Sequence, residues 1–265
     1  MNILLRELKA NRRSLIIWGG ALALINFFMM ALYPTFAEDA ARLEELLSLY
    51  PEGFMKVFGL DRLSMGEAIG FYAMEAYFMV VLFGSMFAVI LSSGMLAKEE
   101  DEKTIEFLLA KPVTRTQIVT NKLLSFIVYL LIFNVGISIV TFIAFEIFAE
   151  SYSRMELLRL LIAPFWAHLA FASLGFLLSL FFTRKKSTYS IGIGLVLLVY
   201  FFNAMATLTE KVQFLRYFSP FYYMDAADII QDGGINPLHT LILLAVSALA
   251  VGATYFLYNR RDITI

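Results

Sequence analysis

Six long apolar runs divide this chain of 265 residues, and they decide its solvent before any other feature does. They lie at residues 14–37, 71–97, 123–145, 160–182, 188–209 and 238–258. At 1.5 Å per residue each is long enough to cross a hydrocarbon core of about 30 Å. Inside such a core no water can satisfy backbone N–H and C=O groups, so an apolar run of this length must be helical. Composition agrees. The chain is 60% hydrophobic and 16% charged, against about 45–50% and roughly 25% for a soluble domain. The sequence predicts an all-α integral membrane protein, one domain over residues 1–265, with six transmembrane helices.

Amphipathic pieces join the runs. Residues 2–13 set Ile3, Leu4, Leu5 and Leu8 against Arg6, Lys9, Arg12 and Arg13, the pattern of a helix lying in the membrane interface. This basic stretch before an apolar run also imitates a secretory leader, with Ala21-Leu22-Ala23 as a cleavage-like site. The run continues well past that point, so the expectation is a retained first span. Between Glu38 and Glu67, Leu43, Leu46, Leu47 and Tyr50 recur at helical spacing and predict an interfacial helix, with a second apolar patch at Phe54, Val57 and Phe58. A second polar interval, Glu210–Asn236, precedes the last run, and Tyr217, Phe218, Phe221, Tyr222 and Tyr223 within it suit an aromatic belt.

Charge orients the bundle. Fourteen of the 21 Lys and Arg residues fall at the N-terminus, after runs two and four, and at the C-terminus; seven fall on the other side. The positive-inside rule therefore predicts both termini and the 98–122 segment in the cytoplasm, with the protein multi-pass in the cell membrane. Net charge is −1, which gives nucleic acid no basic footprint. Without cysteine there is no disulfide, thiolate metal site or cysteine nucleophile, and the two histidines lie far apart. No phosphate-binding GxxxxGK[ST] loop, HExxH or GxSxG motif occurs. The sequence predicts no enzyme, no metal and no bound cofactor in this chain. No internal repeat is visible, which disfavours carriers built from inverted halves.

The most charged stretch is Ala97–Lys122, between runs two and three. Lys98–Glu102 and Glu99–Lys103 are opposite-charge pairs at i,i+4, so a surface helix is expected there. Ile105, Leu108 and Leu109 share one face of it. Pro112 disfavours helix at Lys111 and ends it, and Thr114 with Gln117 has capping-box spacing for a restart. The plain reading is a solvated loop; the functional one is a charged helix-turn-helix that docks a partner protein. Glu99, Thr104, Glu106, Leu108, Leu109, Pro112, Arg115 and Lys122 resemble the signature of bacterial ABC exporter permeases of the type-2 family. Lys103 stands where that family usually has Gly, and Thr114 where Ser is common. Leu215–Ile230 resembles the segment before the family's last span, and the terminal Arg-Arg-Asp-Ile resembles its cationic ending.

The resemblance implies a function. This stretch would contain the coupling helix that sits in a groove of an ATP-binding cassette subunit, with Glu99, Thr104, Glu106, Leu108, Leu109, Pro112 and Arg115 as the contact set. ATP and Mg would bind that partner, and a second permease chain, identical or homologous, would complete a dimer surrounded by membrane lipid. The alternative is a membrane-embedded regulatory or immunity protein that binds a partner without transport. Within the runs, Glu75, Asn134 and His168 are candidates for a path or gate. For Glu75 the plainer reading is the outer interface. For Asn134 and His168, as for Asn26 and Asn203, it is hydrogen bonding between helices. Gly84, Gly94, Gly192 and Gly194 read as close-packing positions.

Topology is directly testable. Single cysteines at Lys103 and Lys185 should react with an impermeant thiol reagent only after lysis, and one at Glu45 should react in intact cells. Protection of the Glu45 site in intact cells would overturn the orientation.

Overall fold

The computed structural model describes residues 3–40, 42, 49–57, 59–104 and 113–261, and every regular element among them is helical. In chain order these are α1 (Ile3–Ala10), α2 (Arg12–Glu38), α3 (Glu52–Val57), α4 (Ala68–Asp101), α5 (Arg115–Phe148), α6 (Arg154–Leu178), α7 (Lys185–Leu208), α8 (Pro220–Tyr223), α9 (Ala226–Gln231) and α10 (Pro237–Arg260). A 3₁₀ segment, Glu210–Phe218, precedes α8. Six helices, α2, α4, α5, α6, α7 and α10, are long and apolar enough to span a membrane, and they coincide with the six apolar runs. The interfacial helix expected from Leu43, Leu46 and Leu47 lies outside the described residues.

The helices overrun the apolar windows where their ends are charged. α4 and α5 each have 34 residues, about 50 Å at 1.5 Å per residue, well beyond a ~30 Å core. The excess is the last turn of α4, Lys98–Asp101, and the first two turns of α5, Arg115–Lys122. α5 starts on the capping box anticipated from its sequence: Gln117 N donates to Thr114 Oγ1 at 3.1 Å, and Thr114 N to Gln117 Oε1 at 3.0 Å. α6 ends at Leu178 rather than 182, because the chain turns at Ser179 toward α7.

Two of the six long helices form the interior. The apolar window of α4 is 78% buried and that of α6 67%, while the other four face mostly outward. α6 lies between α4 and α10, α7 packs on α4, and α2 on α5. Lipid supplies no hydrophobic drive for helix association, so close packing of small residues has to provide it. α4 offers Gly84, Ser85, Ala88, Ser92, Ser93 and Gly94; α6 answers with Ala163, Ala167, Ala170, Ala172 and Gly175. A Cβ at Gly84 would lie 2.3 Å from His168 Nε2, and one at Gly175 2.5 Å from Ser92 Oγ. Gly194 is different: a Cβ there would meet nothing within 4 Å, so no close approach requires glycine at that position. Aromatic pairs fill the remaining width, with Phe87 stacked on Phe133 at 4.5 Å and Phe126 against Phe176 at 5.3 Å.

The end of the bundle away from the charged 98–122 stretch is irregular. α4 carries a π-helical segment, Tyr72–Tyr77, and Gly70 just before it touches the Ser64 carbonyl so closely that a Cβ would sit 2.1 Å from the oxygen. α8 and α9 fold back against α6, which buries Phe221 and Tyr223 and leaves Tyr217 and Phe218 exposed. The expected aromatic belt is thus split, half of it core. Tyr77 donates to the Met224 carbonyl at 2.7 Å, and Arg62 grips Asp225 at 3.0 Å and Asp228 at 2.6 Å. Burial and the neighbouring Asp225 charge hold Asp228 above the usual carboxylate range, against the pull of Arg62.

Because His168 fills the space over Gly84, Gly84→Ala should force α4 and α6 apart. The expected cost is about 1–3 kcal/mol, read as a drop of several degrees in the thermal unfolding midpoint in detergent, while Gly194→Ala should leave the midpoint unchanged or raised.

A candidate functional site at the charged end

The residues of the 98–122 stretch meet the two chain ends. Lys122 is the centre. It sits on α5 immediately before the apolar run 123–145 and has no solvent exposure. Its ammonium donates to Glu99 Oε1 at 2.9 Å, to Glu7 Oε1 at 3.0 Å and to the Met95 carbonyl. An ammonium has three donors and no acceptor, so every proton has a partner. Glu7 on α1 is equally buried, and its other oxygen holds Lys98. Arg6 lies 3.9 Å from Glu99 Oε2. Three cations and two carboxylates thereby join α1, α4 and α5. Tyr129 on α5 adds a hydrogen bond to the Leu8 carbonyl.

Glu99 also organises the way α4 ends. Lys103 N donates to the Glu100 carbonyl at 3.1 Å and Thr104 N to the Glu99 carbonyl at 2.8 Å. That pair of bonds is a Schellman motif, with Lys103 at the left-handed position (φ 52°) and Thr104 following it. Glycine is the residue this backbone favours, since a Cβ there costs about 1–2 kcal/mol. The usual Gly of the resembled signature therefore has a conformational reason, and Lys103 adopts the same conformation without being Gly. Thr104 Oγ1 then donates to Glu99 Oε2 at 2.6 Å, so both carboxylate oxygens are engaged.

Here the surface pairs expected from the sequence are corrected. Lys98 reaches Glu7 rather than Glu102, Glu102 reaches Lys185 on α7, and Lys103 has left the helix, so neither i,i+4 pair forms. Lys98 gains a buried carboxylate in place of an exposed helix pair worth about 0.2–0.5 kcal/mol, while Glu102 exchanges one exposed partner for another on α7.

Arg115 is engaged too. Its Nη1 lies 3.2, 3.1 and 2.7 Å from the carbonyls of Tyr258, Asn259 and Arg261, at the negative end of the α10 dipole. Arg261 in turn forms two contacts with Glu100, at 2.8 and 2.9 Å. The end of α10 is thus tied to both α4 and α5. Of the set expected to contact a partner, Glu99, Thr104 and Arg115 make bonds within the chain. Glu106, Leu108, Leu109 and Pro112 lie outside the described residues. Glu7 and Lys98, equal members of this cluster, were not singled out as site residues from the sequence.

The candidates inside the bundle stand apart from this cluster. His168 is buried, with Nδ1 3.0 Å from Asn134 Oδ1 and Nε2 3.1 Å from the Val80 carbonyl, and Asn134 donates to the Leu130 carbonyl at 2.8 Å. Together they stitch α4, α5 and α6. Thr141 donates to Asn26 at 3.3 Å, which joins α5 to α2. Glu75 lies in the π segment, half-buried, at the opposite end of α4 from Glu99. Asn203 lines a cleft near it with Tyr77 and Tyr200.

Comparison with known proteins adds the following. A family model described as "ABC-2 family transporter protein" matches residues 1–263. A protein of Bacillus subtilis (strain 168), described as "Uncharacterized protein YhcI", is 24% identical over 224 residues, which covers 75% of this chain and 70% of that protein.

Removing the central ammonium would leave two buried carboxylates short of a counter-charge. Lys122→Met should cost about 3–5 kcal/mol, seen as a lower unfolding midpoint and a poorer monodisperse yield in detergent. Lys122→Met combined with Glu99→Gln should regain part of it. A single variant as stable as the parent would show that the cluster contributes no stability.

Proposed function

The chain belongs to the ABC-2 transporter family, and we propose from that premise that it is the membrane permease subunit of an ATP-driven exporter. ATP and Mg bind a separate ATP-binding subunit, and hydrolysis there drives substrate across the membrane through this chain and a second permease chain. The charged end faces the cytoplasm of a cell membrane, with both termini on that side.

The observation that carries the reading is the way α4 terminates. A coupling helix is useful only if displacement at its surface reaches the bundle. Thr104, the last described residue before segment 105–112, is bonded to Glu99, and Glu99 is bonded to Lys122. A push on 105–112 therefore acts at once on α4, on α5 and, through Glu7, on α1. α4 is the most buried of the six long helices and packs on α6 and α7, so the displacement enters the core of the bundle directly. Lys103 and Thr104 act as a stiff corner, and Glu99 positions that corner rather than touching the partner. Leu108 and Leu109 supply the apolar anchor in the groove, as interface energy concentrates in a few such side chains.

The purified chain alone should show no ATP hydrolysis, and activity should appear with the ATP-binding subunit. Leu108→Asp should leave a monodisperse permease that no longer co-purifies with that subunit. Undiminished co-purification would move docking to Arg6–Arg13 or to the Arg184–Lys186 loop, and hydrolysis by the chain alone would refute the division of labour.

A further inference from the structure

The asparagines inside the spans are not alike. Asn26 and Asn134 each donate at 2.8 Å to the carbonyl one turn back, and each also meets a side chain of a neighbouring helix. Asn203 does neither. Its backbone carbonyl accepts from Thr207, but its carboxamide makes no hydrogen bond among the described residues. An amide left unbonded within a span is costly. This one borders a cleft of about 860 Å³ between α3, α4, α7 and the α8–α9 corner, a volume in the usual range for small-molecule sites. The wall from α4 includes part of its π segment, through Ala73, Met74 and Tyr77. π turns are rare and gather at functional sites. An uncommitted amide and a π turn thus face the same cleft.

The lining says what would fit. A carboxamide has two N–H donors and a carbonyl acceptor, and an uncharged group that engages both kinds at once is another amide. One turn earlier on α7, Tyr200 sets its ring against Phe78 at 5.6 Å, and both rings are half-buried. They form an aromatic shelf for an apolar body. The charges that line the cleft are already matched. Arg62 is held by Asp225 and Asp228, and Lys56 is engaged as well. An ionic ligand would find no unpaired counter-charge among the described lining residues. We propose that this cleft binds an uncharged, amide-bearing molecule of the size of a short capped peptide. Asn203 pairs with its amide, and Phe78 and Tyr200 cover its apolar body. The ligand would give Asn203 the partner that the bundle withholds, and would bridge α4 and α7 at the end away from Lys122. The inference needs neither a second chain nor an ATP-binding subunit, and it stands apart from the permease reading.

The test uses the full chain in a neutral detergent, titrated with N-acetylphenylalaninamide, with butylbenzene and with the carboxylate N-acetylphenylalanine. The unfolding midpoint and the heat of titration are the readouts. The amide should raise the midpoint saturably. Butylbenzene, which has the ring alone, and the carboxylate should not. Asn203→Leu should raise the half-saturating concentration of the amide about tenfold, the scale of one hydrogen bond, without lowering the midpoint of the protein alone. Gln213→Leu, a similar change at an exposed position of the 3₁₀ segment outside the lining, should leave binding unaltered. Ala204→Phe fills the cleft from α7 without removing a polar group and should abolish binding; it decides the question should Asn203→Leu fail to purify. No saturable shift with the amide, an equal shift with butylbenzene or the carboxylate, no change in Asn203→Leu, or an equal loss in Gln213→Leu would each overturn the proposal.

Discussion

A single ammonium group at Lys122 fixes how the charged end is built. Taking a charge out of water costs several kcal/mol per ion, and its attraction to buried partners offsets that only when every proton is bonded. Lys122 meets the condition with two carboxylates and a carbonyl, and each comes from a defined place: Glu7 from α1, Glu99 and Met95 from consecutive turns of α4. None can shift by a turn without stranding a charge. The arrangement gives α1, α4 and α5 one relative register, which an apolar contact of the same size would leave freer to slide.

The rest of the bundle follows a different rule. In the interior the contacts are apolar and short, set by small residues on α4 and α6, and the polar groups there are few, most of them bonded in place, with the Ser93 hydroxyl left without a partner. His168 shows how the two demands meet. Its ring fits only because Gly84 lacks a Cβ, and its nitrogens then tie α4 to α5 through Asn134. Charge thus governs one end of the molecule and close packing governs its middle. α4 belongs to both.

Legibility followed the range of the interactions. The six spans were readable because apolar length is a local property, and the Thr114–Gln117 cap because its partners are three residues apart. Asn134 and His168 were readable as helix adhesion, since a polar group inside lipid must find a neighbour. The charges of 98–103 were misjudged for the opposite reason. Their spacing favoured pairs along one helix, but Lys98 finds Glu7, and Glu102 finds Lys185, partners that only the folded bundle brings near. A usable clue was present in Glu7, the one acid among the basic residues of the N-terminal helix, and in Lys122, a cation next to an apolar run. The departure at Lys103 was visible as a residue type, and its meaning needed the backbone angle.

The π segment Tyr72–Tyr77 gives the far end of α4 a property the charged end lacks. An α-helix of fixed length fixes the azimuth of every side chain it carries once one end is anchored. A π turn closes its hydrogen bonds one residue farther along, so it behaves as a slipped thread in a screw. Converting it to α, or moving it along the chain, rotates what lies beyond without releasing what lies behind. With its charged end clamped by Lys122, α4 is then a shaft with a built-in swivel. Glu75 is carried on the swivel, and its heading is set by the kind of turn it occupies rather than by the anchor at Glu99.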